Sequence, residues 1–190
     1  MAYIRDRHEL LTGYQNGNHF SPYVDLGNDF VMVYAFSKGE ALYNLINEYK
    51  EKGYVIHLMV GSAWGDFRDY YKFPGEEGNK MDESQLMRNG EHVRESTPYM
   101  VPTVEFSDYL TERLKVAVDA GVEAIHLEEP EFWDKSGYSE GFKREYEVYY
   151  DEKWTPPHEN LEVRYKASKL KAYLYRRHLA RVSDCIKEYA

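Results

Sequence analysis

The sequence predicts an α/β fold built of parallel βα units and ending in a long helix, and three observations point there. Short apolar runs stand at Phe30–Phe36, Tyr54–Val60 and Val122–Leu127. Each is rich in β-branched or aromatic residues and brief, the pattern of a strand covered on both faces. Around them the apolar residues switch to helical spacing over short connections, which favours right-handed parallel crossovers. From Leu161 to Tyr189 no proline or glycine interrupts the chain.

In chain order, residues 1–28 are polar and turn-rich, with Gly13, Asn16-Gly17-Asn18 and Ser21-Pro22. They read as an irregular lead-in with no clear strand and one short helix near Asp6 to Leu11. The first strand is followed by Ser37, a good helix N-cap, and by Leu42, Leu45, Ile46 and Tyr49 on one helical face. Lys50, Lys52 and Gly53 close that helix, and Tyr54 opens the next strand. From residue 61 to 104 the pattern breaks, through Gly61-Ser62-Ala63-Trp64-Gly65-Asp66, Pro74-Gly75 and Asn89-Gly90. So long a loop is functional or disordered, and its Trp64, Phe67, Tyr70, Tyr71 and Phe73 favour an ordered binding loop.

A helix starting near Ser107 carries Leu110, Leu114, Ala117 and Val118 and ends at Gly121. After the strand Val122–Leu127 comes a loop, 128–138, and a helix capped by Ser139 with Phe142, Tyr146 and Tyr149 inward. Trp154-Thr155-Pro156-Pro157 stops it. The last helix bears a stripe of Leu161, Tyr165, Ala172, Tyr175, Leu179, Val182, Ile186 and Tyr189, with Leu170 and Leu174 off the stripe as a second contact surface. At 1.5 Å per residue it would run about 44 Å, so its end projects or packs on another chain. One domain over 1–190 is expected, with a lead-in 1–28, a βα core 29–138 and C-terminal helices 139–190.

Composition narrows the function. The formal charge is -9, and the basic residues that cluster, Lys166 to Arg181, alternate with apolar positions as on the wet side of a helix. A nucleic-acid or anionic-membrane partner is therefore not expected. No apolar run approaches the ~20 residues of a membrane span, and Met1 to Thr12 holds no signal-peptide core, so a soluble cytoplasmic protein is expected. The lone Cys185 excludes an internal disulfide and a cysteine metal cluster. There is no Gly-rich phosphate loop and no Gly-x-Ser-x-Gly elbow, and no cofactor is predicted. The 19 Tyr, 8 Phe and 3 Trp suit a carbohydrate ligand, because the rings offer apolar faces and polar edges, though a tyrosine-heavy core is the plainer reading.

In parallel α/β folds, ligands meet the loops after the strands' C-terminal ends. That rule brings residues 61–104 and 128–138 to one face and leaves three readings. Glycosidic chemistry needs a carboxylic acid beside the leaving oxygen and a second carboxylate across the ring. Glu128, Glu129 and Glu131 emerge beside Phe132 and Trp133, with Trp64, Tyr70 and Asp66 on the other loop. Crowded acids raise one another's proton affinity, which suits a general acid; the alternative is that two of the three are solvated loop charges. A metal site of His57, His126, Glu128 and Glu131 is the second reading, weighed against histidines bonded within the core. The third is a self-assembling module, in which unclosed sheet edges pair with copies of the chain.

The segment Leu127-Glu128-Glu129-Pro130-Glu131-Phe132-Trp133 resembles the end of the fourth strand in clan A glycoside hydrolases, which are (β/α)8 barrels. The resemblance extends over residues 30–189, and Gly137-Tyr138-Ser139, Phe142 and Tyr146 are similar to the region after that strand in β-galactosidase-like members. It implies a partial, half TIM-type barrel, with Glu129 as acid/base and Glu128 where the family carries a sugar-binding asparagine. Glu131, Trp64, Trp133, Tyr70 and Asp66 are then expected to bind substrate. That family draws its nucleophile from the seventh strand, whereas three strands are legible here with room for a fourth before residue 30. The resemblance therefore implies a homodimer, or a missing C-terminal half, as the source of the second carboxylate; a non-catalytic sugar-binding half-barrel is the alternative.

Overall fold

A computed structural model describes residues 12–17, 19–23, 27–34, 39–72 and 75–190. The helix expected near Asp6 to Leu11, the Ser37 cap, the Ala35-Phe36 end of the first strand, and Phe73 and Pro74 lie outside these residues. The chain gathers into two compact units. One comprises residues up to Val60 with 112–128 and Ala190, and the other 61–111 with 129–189.

The first unit is built on a four-strand parallel sheet in the order β1 (Gly13–Gln15), β2 (Phe30–Val33), β3 (Val55–Gly61), β4 (Ala124–Glu128). Val31 lies opposite Tyr14 on one side and Ile56 on the other. Strands laid down in sequence order wind as in a βα barrel, not as in a doubly wound sheet where the order reverses. β1 is a fourth strand before residue 30, for which the sequence left room without showing a clear run. Gly13, Tyr14 and Gln15 form no apolar run, so its signal lies in its neighbours. The Phe30 ring occupies the space a Cβ on Gly13 would need, 2.2 Å away. The Thr12 N–H and hydroxyl donate to the Asp29 carboxylate at 2.8 and 3.0 Å.

Helix α1 (Gly39–Glu51) follows β2 and buries Leu42, Leu45, Ile46 and Tyr49, the face that the spacing predicts. Fully burying such side chains stabilises by about 1.5–3 kcal/mol each, so Ile46→Ala would cost about 2–5 kcal/mol. Gly53, at φ +87°, turns the chain out of the helix while its N–H donates to Lys50 O at 2.9 Å. Along β3, Ile56, Leu58 and Val60 are buried and Val55, His57 and Met59 are half-buried, the alternation of a sheet with one face better covered.

In the second unit, the described residues of 62–103 include α2 (Arg68–Tyr71), a 3-10 turn at Met81–Glu83, and isolated bridges pairing Ser84 with Met100, Leu86 with His92 and Met87 with Ser136. Helix α3 (Val104–Asp119) starts before the expected Ser107, because Thr103 caps it: Phe106 N–H donates to Thr103 Oγ1 at 3.1 Å. Helix α4 (Glu140–Tyr150) follows Ser139, which has the extended backbone of a cap but makes no cap bond through its hydroxyl. Tyr149, expected inward, is exposed.

Helix α5 (Leu161–Tyr189) has the predicted span, with Asn160 Oδ1 accepting from Val163 N–H at 3.0 Å at its start. Its buried face differs from the predicted stripe. Leu161 and Tyr165 are exposed, whereas Leu170 and Leu174 are 0% exposed and pack with Val101, Phe142, Tyr146 and Ala167. The face is completed by Lys171 and His178, polar residues that a hydrophobicity pattern passes over. Leu170 and Leu174 are thus core residues and not a second contact surface. Among the described residues no helix is long and apolar enough to cross a membrane.

Candidate functional site

The site is the turn that begins at Glu129. Glu129 has a left-handed backbone at φ +46°, and Glu131 N–H donates to Glu129 O at 2.7 Å across Pro130. Such a conformation at a non-glycine residue before proline costs about 1–3 kcal/mol and persists where surrounding bonds fix it. Here they come from three buried side chains. Gln85, 0% exposed, donates its amide to Glu131 O at 2.9 Å and accepts Trp133 N–H at 2.9 Å. Tyr175 donates its hydroxyl to Glu131 O at 2.7 Å. Lys171 Nζ donates to Trp133 O and Asp134 O, each at 2.9 Å. Burial pulls the Lys171 amine down to about 8, opposed by the charge of Asp134.

Tyr99 links the turn to an aromatic cluster. Its hydroxyl donates to Glu129 Oε2 at 2.6 Å. Its ring lies 6.1 Å from that of Trp64 and, edge-on, 6.1 Å from that of Trp133. The Arg94 guanidinium covers Trp64 at 4.6 Å. The Tyr99 phenol is pushed up to about 12, by burial first and then by its bond to Glu129 and the charges of Glu129 and Glu131. Glu129, Glu131 and Trp133 stay open to solvent. Gly61 makes room for Trp64, since a Cβ there would fall 2.1 Å from Trp64 O. The Trp64 indole Nε1 is enclosed without a hydrogen-bond partner.

Of the residues singled out from sequence, Glu129, Trp64 and Trp133 come together around Tyr99, and Glu131 lies close enough for its charge to act on the same phenol. Asp66 is exposed, and its charge acts on the buried Tyr71. Tyr70, expected as a platform, is a core residue. It is 7% exposed, its ring lies against Phe106 and Tyr109, and its hydroxyl donates to the buried Glu83 at 2.7 Å, so no face is left for a ligand. Glu128 ends β4 in the first unit and is half-buried. There too His126 Nε2 lies 3.1 Å from His57 Nδ1, and burial followed by the charge of His126 lowers the proton affinity of His57. Among the described residues no group of three or more His, Cys, Asp or Glu side chains gathers as a metal site requires.

The sequence reading missed Tyr99, Gln85, Arg94 and Lys171. Tyr99 is one tyrosine among 19, and nothing local distinguishes it. Lys171 carried a signal of its own, a lysine at i+1 from Leu170 and i-3 from Leu174 on the face those leucines define.

No protein-family model matches the sequence, and no curated protein matches it. Among solved structures, the chain is similar to the galactosidase domain of alpha-galactosidase-sucrose kinase, AgaSK, at 12% identity and TM-score 0.46, over 64% of this chain and 21% of that one. It is similar to Aspergillus fumigatus Ega3, solved in complex with galactosamine, at 10% identity and TM-score 0.44, over 67% of this chain and 49% of that one. It is also similar to the glycoside hydrolase domain of PelA from Pseudomonas aeruginosa, at 12% identity and TM-score 0.44, over 87% of this chain and 55% of that one. The chain thus spans between 21% and 55% of the length of these structures.

Proposed function

We propose that this chain is a carbohydrate-active protein in which Glu129 meets the sugar as a general acid/base, Trp133 is the open ring platform with Trp64 and Tyr99 packed behind it, and Glu131 is a supporting carboxylate. The observation that carries this reading is the 2.6 Å bond from Tyr99 to Glu129 Oε2, made at a strained backbone inside a cluster of rings. It fixes one carboxylate oxygen and leaves Oε1 to a ligand hydroxyl or a glycosidic oxygen, while the rings supply the flat apolar faces that sugar C–H groups pack on. Hydrolysis with two carboxylates needs the second at about 5 Å for retention, or about 6.5–9.5 Å for inversion. A second copy of the chain, or a further segment, is a source of that group.

Sugar binding without turnover is the second reading. Trp133, at 46% exposure, is an open ring beside a buried tyrosine, and it serves as a platform whether or not a bond is cut. Assays with a panel of aryl glycosides and tryptophan emission separate the two. Turnover that falls at least ~100-fold in Glu129→Gln, with sugar-dependent quenching kept, supports the acid/base role. Quenching with no turnover supports binding alone. Neither signal across the panel, in folded protein, would sink both.

A further inference from the structure

The loop that begins with Glu129 runs on into a concavity within the same unit, with a volume of about 600 Å³. Its walls include Arg88, Lys135, Arg164, His158, Tyr138 and one carboxylate, Asp134. Asp134 is engaged by Arg164, with Nη2 3.2 Å from Oδ2. Arg88 and Lys135 make no ion pair among the described residues, in a chain whose formal charge is -9. Cations that line one concave place in an acidic protein define a local field of opposite sign to the whole, which draws an anionic group selectively.

The floor suits a sugar as well as a charge. Tyr138 and His158 stack with ring centroids 5.9 Å apart, and the Tyr138 hydroxyl lies 2.9 Å from His158 Nδ1. The Tyr138 phenol is raised by burial and lowered by Arg88, so that guanidinium acts on the ring's polar end. The wall is also fixed. Gly137 and Tyr138 N–H groups donate to Leu86 O at 3.1 and 3.2 Å, and Lys171 Nζ donates to Asp134 O. A guanidinium, an ammonium and an aromatic face lining one pocket form a set that recognises a planar carboxylate, or a sulfate or phosphate ester, on a sugar ring.

We propose that this pocket is a subsite for an anionic substituent of a carbohydrate chain, bound by Arg88 and Lys135 with the sugar ring over Tyr138 and His158. The inference rests on the carbohydrate reading of the Glu129 site, since Asp134 and Lys135 follow directly on the platform Trp133. Its ligand class is an acidic oligosaccharide, with the charge on a residue next to the one that meets Glu129.

Calorimetric titration of the full chain tests this with four probes: an oligogalacturonate, its methyl-esterified neutral form, a sulfated neutral oligosaccharide, and inorganic phosphate. At low salt the oligogalacturonate or the sulfated chain should bind at least ~10-fold tighter than the neutral form, and which of them does so identifies the acid. The preference should vanish in the doubly substituted Arg88→Ala, Lys135→Ala protein, whose changed side chains are exposed and whose Tm should not move, and should shrink at ~0.5 M salt. Equal affinity for acidic and neutral chains overturns the subsite and leaves the Glu129 reading standing. A preference that survives the double substitution also overturns it. Phosphate bound with no oligosaccharide of any kind overturns the subsite and the carbohydrate reading together.

Discussion

Tyr99 Oη donates to Glu129 Oε2 across 2.6 Å from the middle of its unit's ring cluster, 30 residues earlier in the chain. A hydrogen bond to a charged acceptor is worth about 1.5–3 kcal/mol where water is excluded and less at an exposed carboxylate. Tyr99→Phe keeps the ring between Trp64 and Trp133 and removes only the donor. Stability should fall by about 1 kcal/mol, a Tm shift of about 2–4 °C for a chain of this size. Sugar affinity should fall about 10-fold, read from Trp133 emission. If affinity is unchanged, the bond does not orient Glu129 for the ligand.

Gln85 holds the backbone of the same turn, and its amide is fully used in a buried place. Nε2 donates to Glu131 O and, at 3.3 Å, to Met100 O, while Oε1 accepts from Trp133 N–H. Gln85→Leu fills the same volume and strands these groups, at about 1–3 kcal/mol for each left without a partner. We expect about 2–4 kcal/mol of lost stability and faster amide exchange at Glu131 and Trp133 than in Tyr99→Phe. Exchange that speeds up evenly over the chain would mean that Gln85 supports the fold at large and not this turn.

Lys171 gives the turn an alkaline signature. Its amine titrates near 8 when folded and at 10.5 in its ordinary state, so between those values the unfolded chain binds the extra proton and stability rises with pH. The gain from pH 8 to 10 is about 2–3 kcal/mol at most. Above pH 10 the sign reverses, because burial holds the phenols of Tyr49, Tyr70, Tyr146 and Tyr175 above their ordinary value and folding then retains protons that the unfolded chain gives up. Denaturant unfolding from pH 7 to 11 should therefore pass through a maximum near pH 10. Lys171→Met should remove the rising limb and leave the fall. A rising limb that persists in Lys171→Met would assign it to another group.

Much of the architecture was legible because it rests on periodicity. The runs at Val31, Ile56 and Ile125 gave strands, and Leu42 to Tyr49 gave the buried face of α1. β1 was not legible, since three residues carry no period and pairing depends on Phe30 covering Gly13, a contact made only after folding. The phase of α5 failed for a chemical reason. Lys171 and His178 are buried because loop carbonyls receive their protons, and no pattern within the helix records carbonyls from residues 62, 133 and 134. The site divided in the same way. Glu129 and Trp133 stood out beside Pro130 at a strand end, whereas Tyr99 and Gln85 gain their roles from a chain crossing 30 to 48 residues away.

His178 carries the acid limb of the stability profile. It is 0% exposed, with Nε2 2.7 Å from Ser62 O and Nδ1 2.8 Å from Ser107 Oγ. A carbonyl can only accept, so Nε2 bears the hydrogen toward Ser62 O. Burial, aided by the charge of Arg177, takes the ring down to about 4. A value depressed on folding means stability that is complete above the unfolded value, near 6.5, and lost as pH falls toward 4, by about 3 kcal/mol in all. His57 and His92, also lowered by burial, act in the same direction. Comparison with His178→Gln, which can still donate to Ser62 O and does not titrate, isolates the one ring. Its unfolding free energy should be lower than that of the unsubstituted chain at pH 7 and should fall less steeply between pH 6.5 and 4. Parallel profiles for the two proteins would show that His178 does not take up a proton on acid unfolding.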